Sequence, residues 1–257
     1  GALATDYVRA DAAETLRALA RAAAPLETLP APADPAWRGD WEAASSSSSR
    51  AAAEHEGDDD DEGRVMAEVV RTLPRGSSLF VSSSMPVRDL DAYGHPRDGG
   101  LHVWANRGAS GIDGVVSSAF GVAAASAGPT VCVLGDVAFF HDQNGLLWNR
   151  EEDAPVVFVL VDNDGGGIFH MLPVRDHEPY FTRCFVTPHG LDFQHAARMH
   201  GVPFQDVGIP GLAEALGRAL DAGGTRVLRV RTDGVRAQAR RRDVADAVAR
   251  SVRETLG

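Results

Sequence analysis

Between residues 78 and 231 the chain alternates short apolar runs with longer segments whose apolar positions recur at helical spacing. The runs at 78–82, 101–105, 130–134, 156–161 and 226–231, with a shorter one near Phe204, predict strands. Helical spacing predicts helices over 86–93, 112–127, 138–149, 193–200 and 211–222, followed by a polar C-terminal helix. Upstream, 65–73 has the same helical spacing, and 11–24 is an alanine-rich helix trailed by Pro25, Pro30, Pro32 and Pro35. Strands separated by helices through short connections predict an α/β fold, a doubly wound and mostly parallel sheet with helices on both faces. No internal repeat is evident.

Two segments break the pattern. Ser45 to Ser49 and the acidic run Asp58 to Glu62 hold too little apolar surface to order themselves, so 41–62 is expected to be a low-complexity, solvated linker or helix-flanking insertion. The division that follows is a fragment at 1–40, the linker, and a domain at 63–257.

A length of 257 residues, 44% apolar and 24% charged, suits a globular chain with a sizeable core. No apolar run approaches the roughly 20 residues of a membrane span, and no secretory apolar region opens the chain. A net charge of −11 argues against nonspecific nucleic-acid binding, which needs a basic surface. All 25 cationic side chains are arginine, which removes P-loop and Schiff-base chemistry and leaves planar, fixed positive charge. Cys132 and Cys184 have no CxxC spacing, and Cys132, inside an apolar strand, is expected to be a buried inert thiol. A reducing cytoplasm is the expected compartment.

The candidate chemistry sits where two strands end. The run Thr130 to Leu134 leads into Gly135-Asp136, and Val156 to Val161 leads into Asp162-Asn163-Asp164-Gly165. Asn163 follows Asp136 by 27 positions (163 − 136) with one predicted helix between, so a parallel sheet brings both to its carboxyl edge, where open α/β sheets bind ligands. A carboxylate, an amide oxygen and nearby carbonyls suit a hard cation such as Mg²⁺, and the following helix start offers N–H groups to an anion. The competing reading makes Asp136 only a helix cap. No strand is followed by G-x-G-x-x-G, which excludes a dinucleotide fingerprint. His141, His170 and His189 lack regular metal spacing and are expected to be hydrogen-bonded or solvent-facing.

Gly135-Asp136 with Asn163-Asp164-Gly165 resembles the cation and diphosphate motif of thiamine-diphosphate enzymes. Five segments narrow the resemblance: Ser82-Ser-Ser-Met-Pro-Val-Arg-Asp89, Ala105-Asn-Arg-Gly-Ala-Ser-Gly-Ile-Asp-Gly114, His141-Asp-Gln-Asn-Gly145, Asp162-Asn-Asp-Gly-Gly-Gly-Ile-Phe169 and Thr187-Pro-His-Gly-Leu-Asp-Phe193. In this order they are similar to the menaquinone-pathway family of 2-succinyl-5-enolpyruvyl-6-hydroxy-3-cyclohexene-1-carboxylate synthases, over its diphosphate-binding domain. Residues 1–40 would be the tail of that family's central domain.

The resemblance implies thiamine diphosphate and Mg²⁺ or Mn²⁺ as cofactors. Asp136, Asn163 and the Gly165 carbonyl would be metal ligands. Gly135, Val137, Ala138, Gly166 and Gly167 would line the diphosphate, with Met85 and Ile112 against the cofactor's rings. Ile168, Phe169 and Leu172 would form an apolar wall beside the reacting carbon, although Leu172 is equally a core position. Ser84, Arg88 and Arg107 would orient substrate carboxylates; Arg88 could instead pair with Asp89 or Asp91.

The implied reaction decarboxylates 2-oxoglutarate and adds the resulting unit to isochorismate, both small anionic substrates. In the family a glutamate of a separate pyrimidine-binding domain activates the cofactor. No glutamate here matches it, so no catalytic residue is expected in this chain, and a homo-oligomer or a partner bearing that domain is. Asp162 stands where the family commonly has asparagine, and it either weakens cofactor binding or points into strand-end hydrogen bonds. An acetolactate-synthase-like carboligase and a noncatalytic binding module are the alternatives.

Overall fold

The computed structural model describes residues 9–23, 35–54, 61–95, 97, 99–106, 111–150 and 154–257. Its frame is a six-stranded sheet in the order β2-β1-β3-β4-β6-β5, with every pairing parallel. The strands are β1 (Ser78–Val81), β2 (His102–Trp104), β3 (Thr130–Gly135), β4 (Val156–Asp162), β5 (Phe204–Asp206) and β6 (Arg226–Arg231). The expected doubly wound parallel sheet is present.

Period-two alternation divides the core into two layers. Leu79, Val81, Val131, Val133, Val157, Val159, Val161, Leu228 and Val230 face one side, where α3 (Glu62–Thr72) and α8 (Ile209–Ala222) cover them. Phe80, Cys132, Leu134, Val156, Phe158, Leu160 and Val227 face the other, under α5 (Val115–Ala125), α6 (Asp136–Asp142) and α7 (Gln194–Met199). Cys132 is buried as expected, and burial pushes its thiol well above the usual range. No helix among the described residues is long and apolar enough to cross a membrane.

Two boundaries differ from the periodicity for local reasons. The helix expected from residue 112 starts at Val115, because Gly114 takes a left-handed φ of 64° and Asn106 Nδ2 donates to the carbonyls of Asp113 and Gly114. The helix expected over 138–149 is α6 followed by a 3₁₀ segment, Gln143–Arg150. At that junction Asp142 Oδ2 accepts from the N–H groups of Val116 (2.7 Å) and Ser117 (3.1 Å), capping the neighbouring α5.

The expected linker is corrected. Ser45 to Ser49 lie inside α2 (Pro35–Glu54), which packs on α9 (Gly234–Leu256). Ser47 is buried and bonds Ser251 and Thr255, Ser48 Oγ donates to the Ala44 carbonyl, and Ala52 packs with Tyr93 and Val244. Small side chains let the two helices approach, and their hydroxyls find partners there or on their own backbone. A serine run that cannot build a core can still fill an interface. The acidic run also ends in structure: Asp61 caps α3, accepting from Gly63 N–H at 3.0 Å, and Glu62 is buried, while 58–60 lie outside the described residues. The remaining helices are α1 (Ala12–Ala23) and α4 (Met85–Tyr93).

Candidate functional site

Strands β1 and β2 run to one side of the sheet and β3 starts on the other side of β1, so the strand order reverses between β1 and β3. A cavity of about 400 Å³ opens beyond the carboxyl ends there. It is lined by Ser84, Met85, Ile112, Gly135, Asp136, Val137, Ala138, Asn163, Gly165, Gly166, Gly167, Ile168 and Phe169, among others. Of the candidate site residues, these are the ones the fold brings to one cavity.

Asp136 ends β3 and begins α6, 2% exposed. Its Oδ1 accepts from Val137 N–H at 2.6 Å, and its Oδ2 from the N–H groups of Asn163 (3.1 Å) and Gly165 (2.9 Å). Burial pushes its carboxyl up to about 6, against the pull of these N–H groups. A carboxylate has about four lone-pair directions, so capacity for a cation remains.

Asn163 supplies the second observation. Its Nδ2 donates to Glu62 Oε1 at 2.6 Å, while its Oδ1 is buried without a hydrogen-bond partner. An orphaned buried oxygen beside a buried carboxylate fits a hard cation, whose ligands are oxygens. The glycines after it are required by close approach. A Cβ on Gly165, at φ 145°, would collide with the Val186 carbonyl; one on Gly166 would lie 2.5 Å from the Phe185 carbonyl; one on Gly167 would lie 2.5 Å from Asn163 Nδ2. The three non-glycine residues with positive φ among those described, Ser84, Asp164 and Thr187, all sit on or beside this cavity. Such strain persists where surrounding contacts enforce it, often at binding sites.

His189, which the sequence left as an ordinary histidine, stands behind Asp136. Its Nδ1 lies 3.1 Å from Leu191 N–H and 3.2 Å from Asp164 Oδ1, and Nε2 lies 3.2 Å from Asp136 Oδ2 without hydrogen-bond alignment. Asp136, Asp162 and His189 form one group with the proximity of a metal site. Its chemistry fits a cation less well than Asp136 with Asn163. Asp162 is engaged elsewhere: its Oδ1 accepts from Asp164 N–H at 3.3 Å and its Oδ2 lies 3.7 Å from the buried Arg229. Of the two orientations open to Asp162, it takes the strand-end hydrogen bonds.

The substrate-facing candidates are less assembled. Arg88 is exposed, donates to the Ser84 carbonyl at 2.6 Å, and lines a wider groove of about 930 Å³ bounded by Trp41, Met171 and Val244. Ile168 and Phe169 face the cavity, but Leu172 is 45% exposed and does not line it. Arg107 lies outside the described residues.

Sequence reasoning missed a buried ionic cluster on the cavity wall. Glu62 (α3), Asp89 (α4) and Arg241 (α9) meet there, with Arg241 NH2 at 2.7 Å from Glu62 Oε2 and at 2.7 and 3.0 Å from the two Asp89 oxygens. Burial pushes Asp89 up to about 7, with Arg241 opposing and Glu62 and Asp61 adding to the rise. No periodicity could have linked residues this distant, although a glutamate ending an acidic run directly before an apolar helix was a usable signal.

Comparison with known proteins gives the family and the fold. The family described as thiamine pyrophosphate enzyme, C-terminal TPP binding domain, matches residues 92–230. The chain is 45% identical over 182 residues to the 2-succinyl-5-enolpyruvyl-6-hydroxy-3-cyclohexene-1-carboxylate synthase of Roseiflexus sp. (strain RS-1), covering 70% of this chain and 31% of that protein. It is 43% identical over 246 residues to the synthase of the same name from Halobacterium salinarum (strain ATCC 29341 / DSM 671 / R1), covering 95% and 41%. The crystal structure of benzoylformate decarboxylase from Polynucleobacter necessarius shares the fold, with a TM-score of 0.56 at 19% identity over 67% of this chain and 33% of that one.

Proposed function

The chain belongs to the thiamine pyrophosphate enzymes, as a C-terminal TPP-binding domain, and from that premise we propose that it is the C-terminal part of a 2-succinyl-5-enolpyruvyl-6-hydroxy-3-cyclohexene-1-carboxylate synthase. It spans 31% and 41% of the length of the two relatives described, so the reaction of the whole enzyme is carried over from their name and from the motif segments. In that reaction 2-oxoglutarate is decarboxylated and the product added to isochorismate. The buried, unpartnered Asn163 Oδ1 beside Asp136 is the observation that carries the reading.

Asp136, Asn163 and the Gly165 carbonyl hold a divalent cation. Gly135, Val137, Ala138, Gly166 and Gly167 enclose the diphosphate it neutralises, and because Val137 N–H is already given to Asp136, that enclosure rests on the glycines' close approach. Bound thiamine diphosphate supplies the carbanion-stabilising centre. Met85 and Ile112 set its depth by packing. Ile168 and Phe169 exclude water from the reacting side, which strengthens every charge interaction there. Ser84, Arg88 and Arg107 orient the substrates' carboxylates, for which a planar guanidinium fork is suited. Activation of the cofactor falls to a pyrimidine-binding domain in the same oligomer.

Calorimetry with thiamine diphosphate and Mg²⁺ tests this. Binding to the unsubstituted chain is expected, and Asp136→Ala should weaken it at least about 100-fold, since the ligand carrying the charge is lost. No binding, or binding indifferent to Asp136→Ala, would sink the assignment. Turnover of 2-oxoglutarate and isochorismate should appear only when a pyrimidine-binding domain is supplied.

A further inference from the structure

Glu62 is 3% exposed and accepts from three groups: Asn163 Nδ2 (2.6 Å) and Thr232 Oγ1 (3.2 Å) on Oε1, and Arg241 NH2 (2.7 Å) on Oε2. Burying a carboxylate is costly unless it is paired and hydrogen-bonded, and here it is both. The pairing does not need Asn163, because Arg241 already balances one carboxylate of the cluster. What Glu62 adds is discrimination between the two ends of an amide.

An asparagine amide presents a donor and an acceptor of nearly the same size, and a half-turn about its last bond exchanges them. A cation accepts only the oxygen end. An ionised carboxylate is an acceptor only, so Glu62 binds the Nδ2 end and refuses the other. With Nδ2 fixed, Oδ1 is left with no protein donor: it is buried and unpartnered, on a residue that lines the cavity. A Cβ on Gly167 would lie 2.5 Å from Asn163 Nδ2, so only glycine leaves the amide this place beside Glu62.

We propose that Glu62 is a positioning residue for cation binding: it sets the amide of Asn163 so that its oxygen faces the metal, and Arg241 holds Glu62 in place. The proposal rests on the assignment of Asp136 and Asn163 as cation ligands. Groups that orient a metal's direct ligands commonly change affinity by roughly 10–100-fold when removed. The competing account makes Glu62 a charge at the α3 N-terminus and part of a buried ion pair, contributing only to stability.

Mn²⁺ in the presence of thiamine diphosphate is the probe, with free Mn²⁺ read by electron paramagnetic resonance and melting of each variant followed without cation. Glu62→Ala should raise the Mn²⁺ dissociation constant roughly 10-fold or more. The double variant Glu62→Ala, Asn163→Ala should bind no more weakly than Asn163→Ala alone, since both remove one ligand oxygen. Thr232→Ala, which removes the other donor on Oε1, should leave affinity within about 2-fold, because Asn163 keeps its partner. If Glu62→Ala does not fold, Glu62→Gln serves: it keeps the volume but brings a donor into an acceptor's place, and at least a 3-fold loss is expected. Unchanged Mn²⁺ affinity in the folded variant, or losses that add in the double variant, would overturn the positioning role and leave the proposed function standing. Absence of Mn²⁺ binding to the unsubstituted chain would overturn both.

Discussion

At the β3–β4 end of the cavity the protein itself holds the polar side chains in place. Asp136 accepts three backbone N–H groups, Asn163 is held by Glu62, and glycines fill the space that any side chain would need. At the α4 end the groups stand apart: Arg88 is exposed with the Ser84 carbonyl as its hydrogen-bond partner, and Leu172 lies 45% exposed outside the cavity. One end is fixed by the fold before any ligand arrives. The other leaves its side chains exposed to solvent, and a ligand that orders them must offset the rotamer entropy lost. Preorganisation is therefore spent on the cation and diphosphate, which are the same in every turnover.

Breaking the fixed end should cost most. Arg241→Ala would leave Glu62 and Asp89 buried together without their shared cation, and a loss of about 3–5 kcal/mol in urea unfolding is expected. Gly165→Ala should cost about 2 kcal/mol or more, because the added carbon meets the Val186 carbonyl; Gly190→Ala, at φ 59° with open space around it, should cost about 1 kcal/mol. Equal costs at the two glycines would mean that the cavity end is not tightly built.

The cluster also predicts a pH dependence with a definite sign. Asp89 keeps its proton up to about 7 in the folded chain, against an ordinary value of 3.8, owing to burial and to Glu62 and Asp61 nearby, with Arg241 opposing. Between those values the folded state binds more protons than the unfolded one, so this group's contribution to stability falls as pH rises from about 4 to about 7. Asp89→Asn should flatten that decline in unfolding measured across the interval. At the open end, Arg88→Ala and Leu172→Ala should change stability by no more than about 0.5 kcal/mol. A larger effect at either would show the rim to be as built as the cation end.

The same contrast governs what the sequence revealed. Strands β3 and β4 alternate between two cores, their apolar runs are continuous because both faces are covered, and the candidate ligands Asp136 and Asn163 follow at their ends. Those features are local and therefore legible. Glu62, Asp89 and Arg241 are joined by contacts spanning 152 and 179 positions, which no local pattern encodes. The serines of α2 misled for a related reason, since their role is defined by α9 rather than by their neighbours in sequence. His189 gave no spacing signal because its partners are a strand-end carboxylate and its own turn.

The α2–α9 pair has a mechanical consequence. Ser47 meets Ser251 and Thr255 while Ala52 meets Val244, so the two helices run antiparallel and the start of α2 lies at the same end of the pair as the finish of α9. Tension applied through residue 35 and residue 257 would therefore peel one helix from the other, bond by bond, before loading the parallel sheet in shear. The pair stands between an external pull and the strand ends that carry Asp136 and Asn163, and it would yield first.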